Sequence, residues 1–355
     1  MKSLARFAVC ALLFGWFVSP APAAFTSLYV FGDGVCSTSF VPSSSLAPYY
    51  YGHRECNGRV WVEVLAQWQG MAFDTNKNLS FFGHYSPVLV SNVNNFVPPP
   101  DANTALFVVW ANNADFVYDV QNYNPYTTNN LAVWTNAMNR SLSNHIVVVT
   151  NLYAKGARTL VMPNAVDISK TPTYFGLTAA NKSFIRQRII DFNAAFTIAL
   201  SNTTTSLPAL NIYVPDTFSL LDDVLAHPKS YGFTNTTSDA IDDGYTSFTG
   251  AGTNYVFWDY LHPTAKFQMI LADITQQLLS PVLISQITSL PDSVRLEAVN
   301  IPIGRNGFVM GSTNYANWTT DQSFNSTNLT QSIVIPANGP FYCYRLRFPF
   351  VWTWP

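Results

Sequence analysis

The stretch LYVFGDGVCST, residues 28–38, reads as a buried strand that runs straight into a glycine-bounded turn. Residues 28–31 form an apolar run too short for a helix, and Gly32-Asp33-Gly34 interrupts it. The same grammar recurs at LFVVWANNAD, residues 106–115, where a run at 106–110 opens into a polar loop. Two further runs, 159–162 and 211–214, are also rich in Val, Leu and Tyr. The intervening segments 58–69, about 128–154 and 179–200 carry helical spacing. In the second of these, Leu142, Ile146, Val149 and Leu152 recur along one face and Gly156 marks a stop. A last helix is expected to begin near Pro263 and end before Pro281. This alternation predicts an α/β fold, a mostly parallel sheet covered by helices on both faces. In such sheets the site lies beyond the carboxyl ends of the strands, where both the GDG and the ANNAD loops fall.

The character changes from about Gln286. Short alternating runs at 307–310, 331–335 and 342–348 are separated by Asn, Ser, Thr and Gly, which predicts a small antiparallel β appendage. It ends in the aromatic tail FPFVWTWP, residues 348–355, read as packing on its own sheets or on the main domain, with surface association as a further role. The expected organisation is a signal peptide at 1–24, an α/β domain at 25–285 and a β-rich module at 286–355.

The 355 residues are 48% hydrophobic and only 11% charged, with a net charge of −2. A large core is affordable, and without a basic stripe a nucleic-acid partner is excluded. Lys2 and Arg6, an apolar run over 7–18 and small residues at 21–24 have the form of a secretory leader, so export to the periplasm or cell exterior is expected. No later segment reads as a membrane span. Of Cys36, Cys56 and Cys343, the first two are the pair to test for a disulfide; three buried thiols are the alternative. Cysteines and histidines lack ligand spacing, so neither a metal nor another cofactor is expected.

Four blocks carry chemistry. Residues 257–264, FWDYLHPT, put Asp259 three residues before His262, a spacing that lets the carboxylate orient the imidazole as a general base. Asn57-Gly58-Arg59 precedes a helix and offers a bare N–H. Asn112 and Asn113 follow the second strand. The fourth block is the opening turn around Gly34.

In this order the four blocks resemble the GDSL, or SGNH, hydrolases, closest to the plant-like and haemolysin-like branch. Supporting stretches are Tyr153-x-x-Gly156-Ala157-Arg158 with Met162-Pro163-Asn164, and Pro228-x-x-Tyr231-Gly232-Phe233. The resemblance implies a three-layer α/β/α fold and hydrolysis of carboxylic esters, from small acyl to lipid or glycan esters, through an acyl-enzyme. It implies Asp259 and His262 as the acid–base pair and Gly58 as an oxyanion donor. It also implies a serine where this chain has Gly34 and an asparagine where it has Ala114, so that Asn112 or Asn113 must serve if the loop is displaced. Three readings follow: a shifted nucleophile at Ser37 or Cys36, direct attack by water activated at His262, or a pseudoenzyme binding an acyl or glycan ligand.

Overall fold

The computed structural model describes residues 25–337 and 343–355; the expected leader at 1–24 and the first residue of the expected strand at 342–348 lie outside them. The described chain falls into two units, residues 25–281 with 349–355, and residues 282–348. The division comes a few residues before the expected boundary at 285/286, and residues 349–355 of the aromatic tail belong to the α/β unit.

In the α/β unit, β1 (Leu28–Gly32), β2 (Leu106–Trp110), β3 (Thr159–Val161) and β4 (Asn211–Tyr213) pair in parallel in that spatial order. Residues 78–81 run along the other edge of β1: Val30 bridges Asn78, and the Leu79 and Phe81 N–H groups donate to Val30 O (2.8 Å) and Gly32 O (3.2 Å). The chain leaves β1 toward this edge and returns to β2 on the opposite side. That reversal opens a crevice at the carboxyl end of β1.

Successive strand residues point to opposite faces, and both faces are buried. Leu28 and Val30 pack with α1 (Trp61–Trp68), α6 (Thr217–Ala226) and α7 (Ala265–Leu279). Tyr29, Phe31, Phe107 and Val109 pack with α2 (Ser86–Asn95), α3 (Asn112–Asn122), α4 (Leu131–Ala154) and α5 (Ala179–Ser206). The unit is therefore a three-layer α/β/α fold.

Several boundaries differ from the sequence reading, each for a local reason. Residues 111–115 open α3 rather than a loop, because Asp115 N–H already donates to Ala111 O (3.3 Å). The last helix starts at Ala265, since Pro263 is bridged to Phe257 and Thr264 is still extended. Residues 235–239, too polar to read as a strand, form β5 (Asn235–Asp239), which pairs with β6 (Tyr255–Phe257).

The second unit contains two three-stranded antiparallel sheets. One orders β11 (Thr330–Pro336), β8 (Ser293–Val299) and β7 (Leu283–Ser289). The other orders β10 (Thr319–Asn325), β9 (Asn306–Ser312) and β12 (Cys343–Arg347). A small core of Leu296, Ile301, Val309, Ile333 and Ile335 joins them.

Phe107 is 1% exposed and stacks on Tyr29 at 5.4 Å, whereas Ile198 on α5 is 63% exposed. Phe107→Ala should cost roughly 3–5 kcal/mol of unfolding free energy by denaturant titration. Ile198→Ala should cost less than about 0.5 kcal/mol.

Candidate active site

The histidine is placed by a tight turn after β6. Asp259 Oδ1 accepts the N–H groups of Leu261 (2.8 Å) and His262 (2.7 Å), and the His262 imidazole lies with Nδ1 3.0 Å from both carboxylate oxygens. Nδ1 therefore carries the proton and donates it to Asp259, leaving Nε2 to face the turn at Gly34. Tyr50 donates its hydroxyl to Asp259 Oδ2 (3.0 Å), fixing the carboxylate from behind. Asn57 ties the second block to this element: its Oδ1 accepts Ala265 N–H (2.7 Å) at the start of α7, and its Nδ2 donates to Phe248 O (3.0 Å).

Opposite stands the turn that follows β1. Asp33 N–H donates to Trp110 O (3.0 Å), continuing the sheet by one bond, and the Asp33 carboxylate accepts Val35 N–H (3.1 Å). Asp33, Gly34, Asn113, Ala114 and His262 line one side of a cavity of about 260 Å³. The rest is largely apolar, with Val35, Phe82, Val117, Val166, Ile168 and Leu261.

A residue that the sequence reading passed over completes the arrangement. Glu55 is 3% exposed, and its Oε2 lies 3.6 Å from His262 Nε2 with no hydrogen bond of its own. It occupies the room that a side chain at position 34 would need. A Cβ built on Gly34 would lie 2.3 Å from Glu55 Oε2 and 2.4 Å from His262 Nε2. One available signal was an acid two residues before the Asn57-Gly58 turn, in a chain with few charges.

Three carboxylates thus converge on one imidazole. Burial pulls the His262 pKa down, but the charges of Asp259 and Glu55 outweigh it and raise it to about 9. Burial raises Glu55 to about 7, against the pull of the His262 charge, with Asp259 and Asp33 adding to the rise. Burial raises Asp33 to about 6, offset in part by its N–H donors. Asp259 is also buried, yet the His262 charge and hydrogen bonds keep it below the usual carboxylate range. The direction of these shifts favours a protonated imidazole at His262, whereas its spacing to Asp259 leads to the expectation of a neutral base.

The structure brings Asp259, His262, Gly34 and Asn113 together and sets the other expected residues aside. Ser37 is fully buried, and its hydroxyl turns toward Ser80 O (3.3 Å). Cys36 accepts the Trp61 indole N–H (3.3 Å), and burial pushes its thiol far up, away from thiolate. Neither lines the cavity, which corrects the shifted-nucleophile reading. Asn112 donates to Pro163 O (2.9 Å) and also lies off the cavity, whereas Asn113 lines it with Oδ1 accepting Val166 N–H (3.0 Å).

Gly58 likewise lies off the cavity lining. Its N–H is directed to the Cys56 sulfur, and a Cβ there would come 2.7 Å from Ala265 Cβ, so the glycine serves close packing of α7. The tail covers this turn: Trp354 donates to Asn57 O (2.8 Å) and Arg59 to Pro355 O (3.0 Å). Of the two cysteine readings, a Cys36–Cys56 pair or three buried thiols, the structure has no disulfide among the described residues, and Cys343 is only half-buried. Cys36, Cys56 and Cys343 are free; the Cys36 sulfur accepts the Trp61 indole N–H and the Cys56 thiol donates to Pro263 O (3.4 Å). His84 is a packed histidine, with ring nitrogens on Gly32 O (3.0 Å) and Asn92 (3.1 Å). Among the described residues no group of His, Cys, Asp or Glu is arranged to hold a metal ion, and no helix is long and apolar enough to cross a membrane.

Two outcomes follow. Gly34→Ser should not restore serine chemistry, because its side chain meets both Glu55 Oε2 and His262 Nε2; its kcat/KM should be no higher than that of the parent chain. Glu55 and His262 both bind their protons more tightly in the folded chain than at their ordinary values of 4.5 and 6.5. Unfolding free energy should fall as pH rises, through Glu55 between 4.5 and about 7 and through His262 between 6.5 and about 9. Denaturant titrations across pH 4.5–9 measure this, and His262→Gln should remove the part that His262 contributes between 6.5 and about 9.

The chain is similar to known proteins. An Arabidopsis thaliana GDSL esterase/lipase is 29% identical over 148 residues, 37% of this chain and 42% of the relative. A second from the same plant is 25% identical over 190 residues, 48% and 51%. The chain spans about two fifths of the length of the first of these relatives. Among solved structures, the acetylxylan esterase Axe2 of Geobacillus stearothermophilus is 11% identical, with 73% of this chain and 95% of that one covered at a TM-score of 0.43. The GDSL-like Lipase/Acylhydrolase family matches residues 28–275, and the chain belongs to that family.

Proposed function

We propose that this protein hydrolyses carboxylic esters that carry an apolar group, at the cavity between Gly34 and His262. One observation carries the reading: an Asp259-oriented imidazole opens onto a mostly apolar hollow at the reversal point of the sheet. Val35, Val117, Ile168 and Leu261 suit an acyl or alkyl chain, while Asp33, Asn113 and His262 gather at the end where a carbonyl would rest. His262, charged at neutral pH, is suited to protonate the departing alcohol. Export through the leader-like residues 1–24 belongs to the same proposal and rests on their charge and apolar run.

One observation favours a second reading, binding of an apolar acyl ligand without turnover: residue 34, at the bend facing His262 Nε2, is a glycine and has no side chain to attack a carbonyl. Rates separate the two. With ethyl esters of increasing acyl length in a pH-stat, hydrolysis should rise with chain length until the cavity is filled. His262→Ala should lower kcat/KM by at least about 10²-fold. Wild-type protein that binds the esters at background hydrolysis rate would establish the binding reading instead.

A further inference from the structure

Glu55 Oε2 is a buried carboxylate oxygen without a hydrogen bond, and such atoms are costly to leave unpaired. Its environment offers no structural reason for it. The neighbouring cation, Arg54, is turned away and holds Glu63 through Nε (3.0 Å) and Nη2. The cation that faces Glu55 is His262, at 3.6 Å, too long for the hydrogen-bonded ion pair a purely structural pairing would form. The carboxylate also reaches this place only because residue 34 has no side chain. A missing attacking group and an acid in its room are thus one feature; Glu55 is not itself among the residues that line the cavity and meets that lining through Gly34 and His262.

We propose that Glu55 is the general base of this site, taking a proton from a water that sits over Gly34 and adds to the ester carbonyl carbon. The inference rests on the ester-hydrolysis reading above. In the first step the water's oxygen bonds to the carbonyl carbon while its proton passes to Glu55 Oε2, giving a tetrahedral anion. In the second, the bond from carbon to the alcohol oxygen breaks and His262 Nε2 gives its proton to that oxygen. The products are one carboxylic acid and one alcohol, with Glu55 protonated and His262 neutral. A proton transfer from Oε2 to Nε2, across the gap now 3.6 Å, restores both groups. No acyl-enzyme forms. Asp259 keeps Nδ1–H engaged throughout, so Nε2 is the atom that gives and regains the proton.

Glu55 is faced by Asp33 from the turn after β1, by Asp259 and His262 from the turn after β6, and by Tyr50 and Tyr260. Of these, Asp33 titrates close enough to share the acid limb of a rate profile. The decisive measurement therefore compares variants and leaving groups rather than pH alone.

The full chain is assayed with ethyl butyrate, whose alcohol must be protonated to leave, and p-nitrophenyl butyrate, whose phenolate leaves unaided. Glu55→Gln should lower kcat by at least about 10²-fold on both esters with little change in KM. His262→Ala should be damaged at least about tenfold more on ethyl than on p-nitrophenyl butyrate. Glu55→Ala should regain at least about tenfold in rate with added formate, a rescue that misfolded protein would not show. Glu55→Gln within threefold of wild type on both esters, with His262→Ala inactive on ethyl butyrate, overturns the role of Glu55 and leaves ester hydrolysis standing. Equal damage to Glu55→Gln and Glu55→Ala without formate rescue overturns it too. Wild type inactive on every ester removes the hydrolysis reading itself, and the base assignment with it.

Discussion

Repulsion between a would-be Cβ and a carboxylate governs this site. With glycine at position 34, Glu55 Oε2 settles against His262 Nε2; with any larger residue, one of the two must move. From that contact follow the other electrostatic facts. The imidazole gains a second negative neighbour beyond Asp259, so it stays protonated well past neutrality. Glu55 in turn holds its proton to about pH 7, because burial opposes its charge more strongly than one cation supports it. The usual division of labour, a neutral histidine drawing a proton from a hydroxyl, has neither the hydroxyl nor the neutral histidine here.

The scaffold around the contact is stiff where precision matters. Asp259 accepts two backbone N–H groups, the imidazole N–H and the Tyr50 hydroxyl, so its four bonds define the turn and the ring together. Asn57 bolts that turn to the second block through Ala265 N–H, and Trp354 donates to Asn57 O from the chain's end. On the opposite wall, Asp115 accepts Ser86 N–H (2.9 Å) and the Ser141 hydroxyl (2.5 Å), tying α2, α3 and α4 behind the cavity. Buried polar groups arranged this way cost desolvation but leave few alternative geometries.

Much of the architecture was legible because it rests on local pattern. Four apolar runs and the amphipathic segments between them gave the parallel sheet and its two helical layers, and the GDG turn and the ANNAD segment that opens α3 fell at the carboxyl ends of β1 and β2 as alternation requires. Asp259 and His262 were legible as a pair because three residues of separation closes a hydrogen-bonded turn. The polar strand β5 was not, since it is held by pairing with β6 rather than by its own periodicity, and the start of α3 was not, since its first turn is closed by backbone bonds of polar residues.

Gly58, Ser37 and Cys36 mark where inference from position stops. Each stands at a plausible sequence offset, yet its N–H, hydroxyl or thiol is engaged by a neighbour: Cys56 within the same turn for Gly58, and the distant Ser80 and Trp61 for Ser37 and Cys36. The sequence alone determined the layers, the order of the blocks and the loss of a side chain at position 34. Only the tertiary structure decided what fills that loss, because Glu55 and His262 are 207 residues apart and meet only when α1 and α7 pack side by side on one face of the sheet. Chain proximity controls hydrogen bonds across a turn; burial and the convergence of distant carboxylates control the charge of an imidazole.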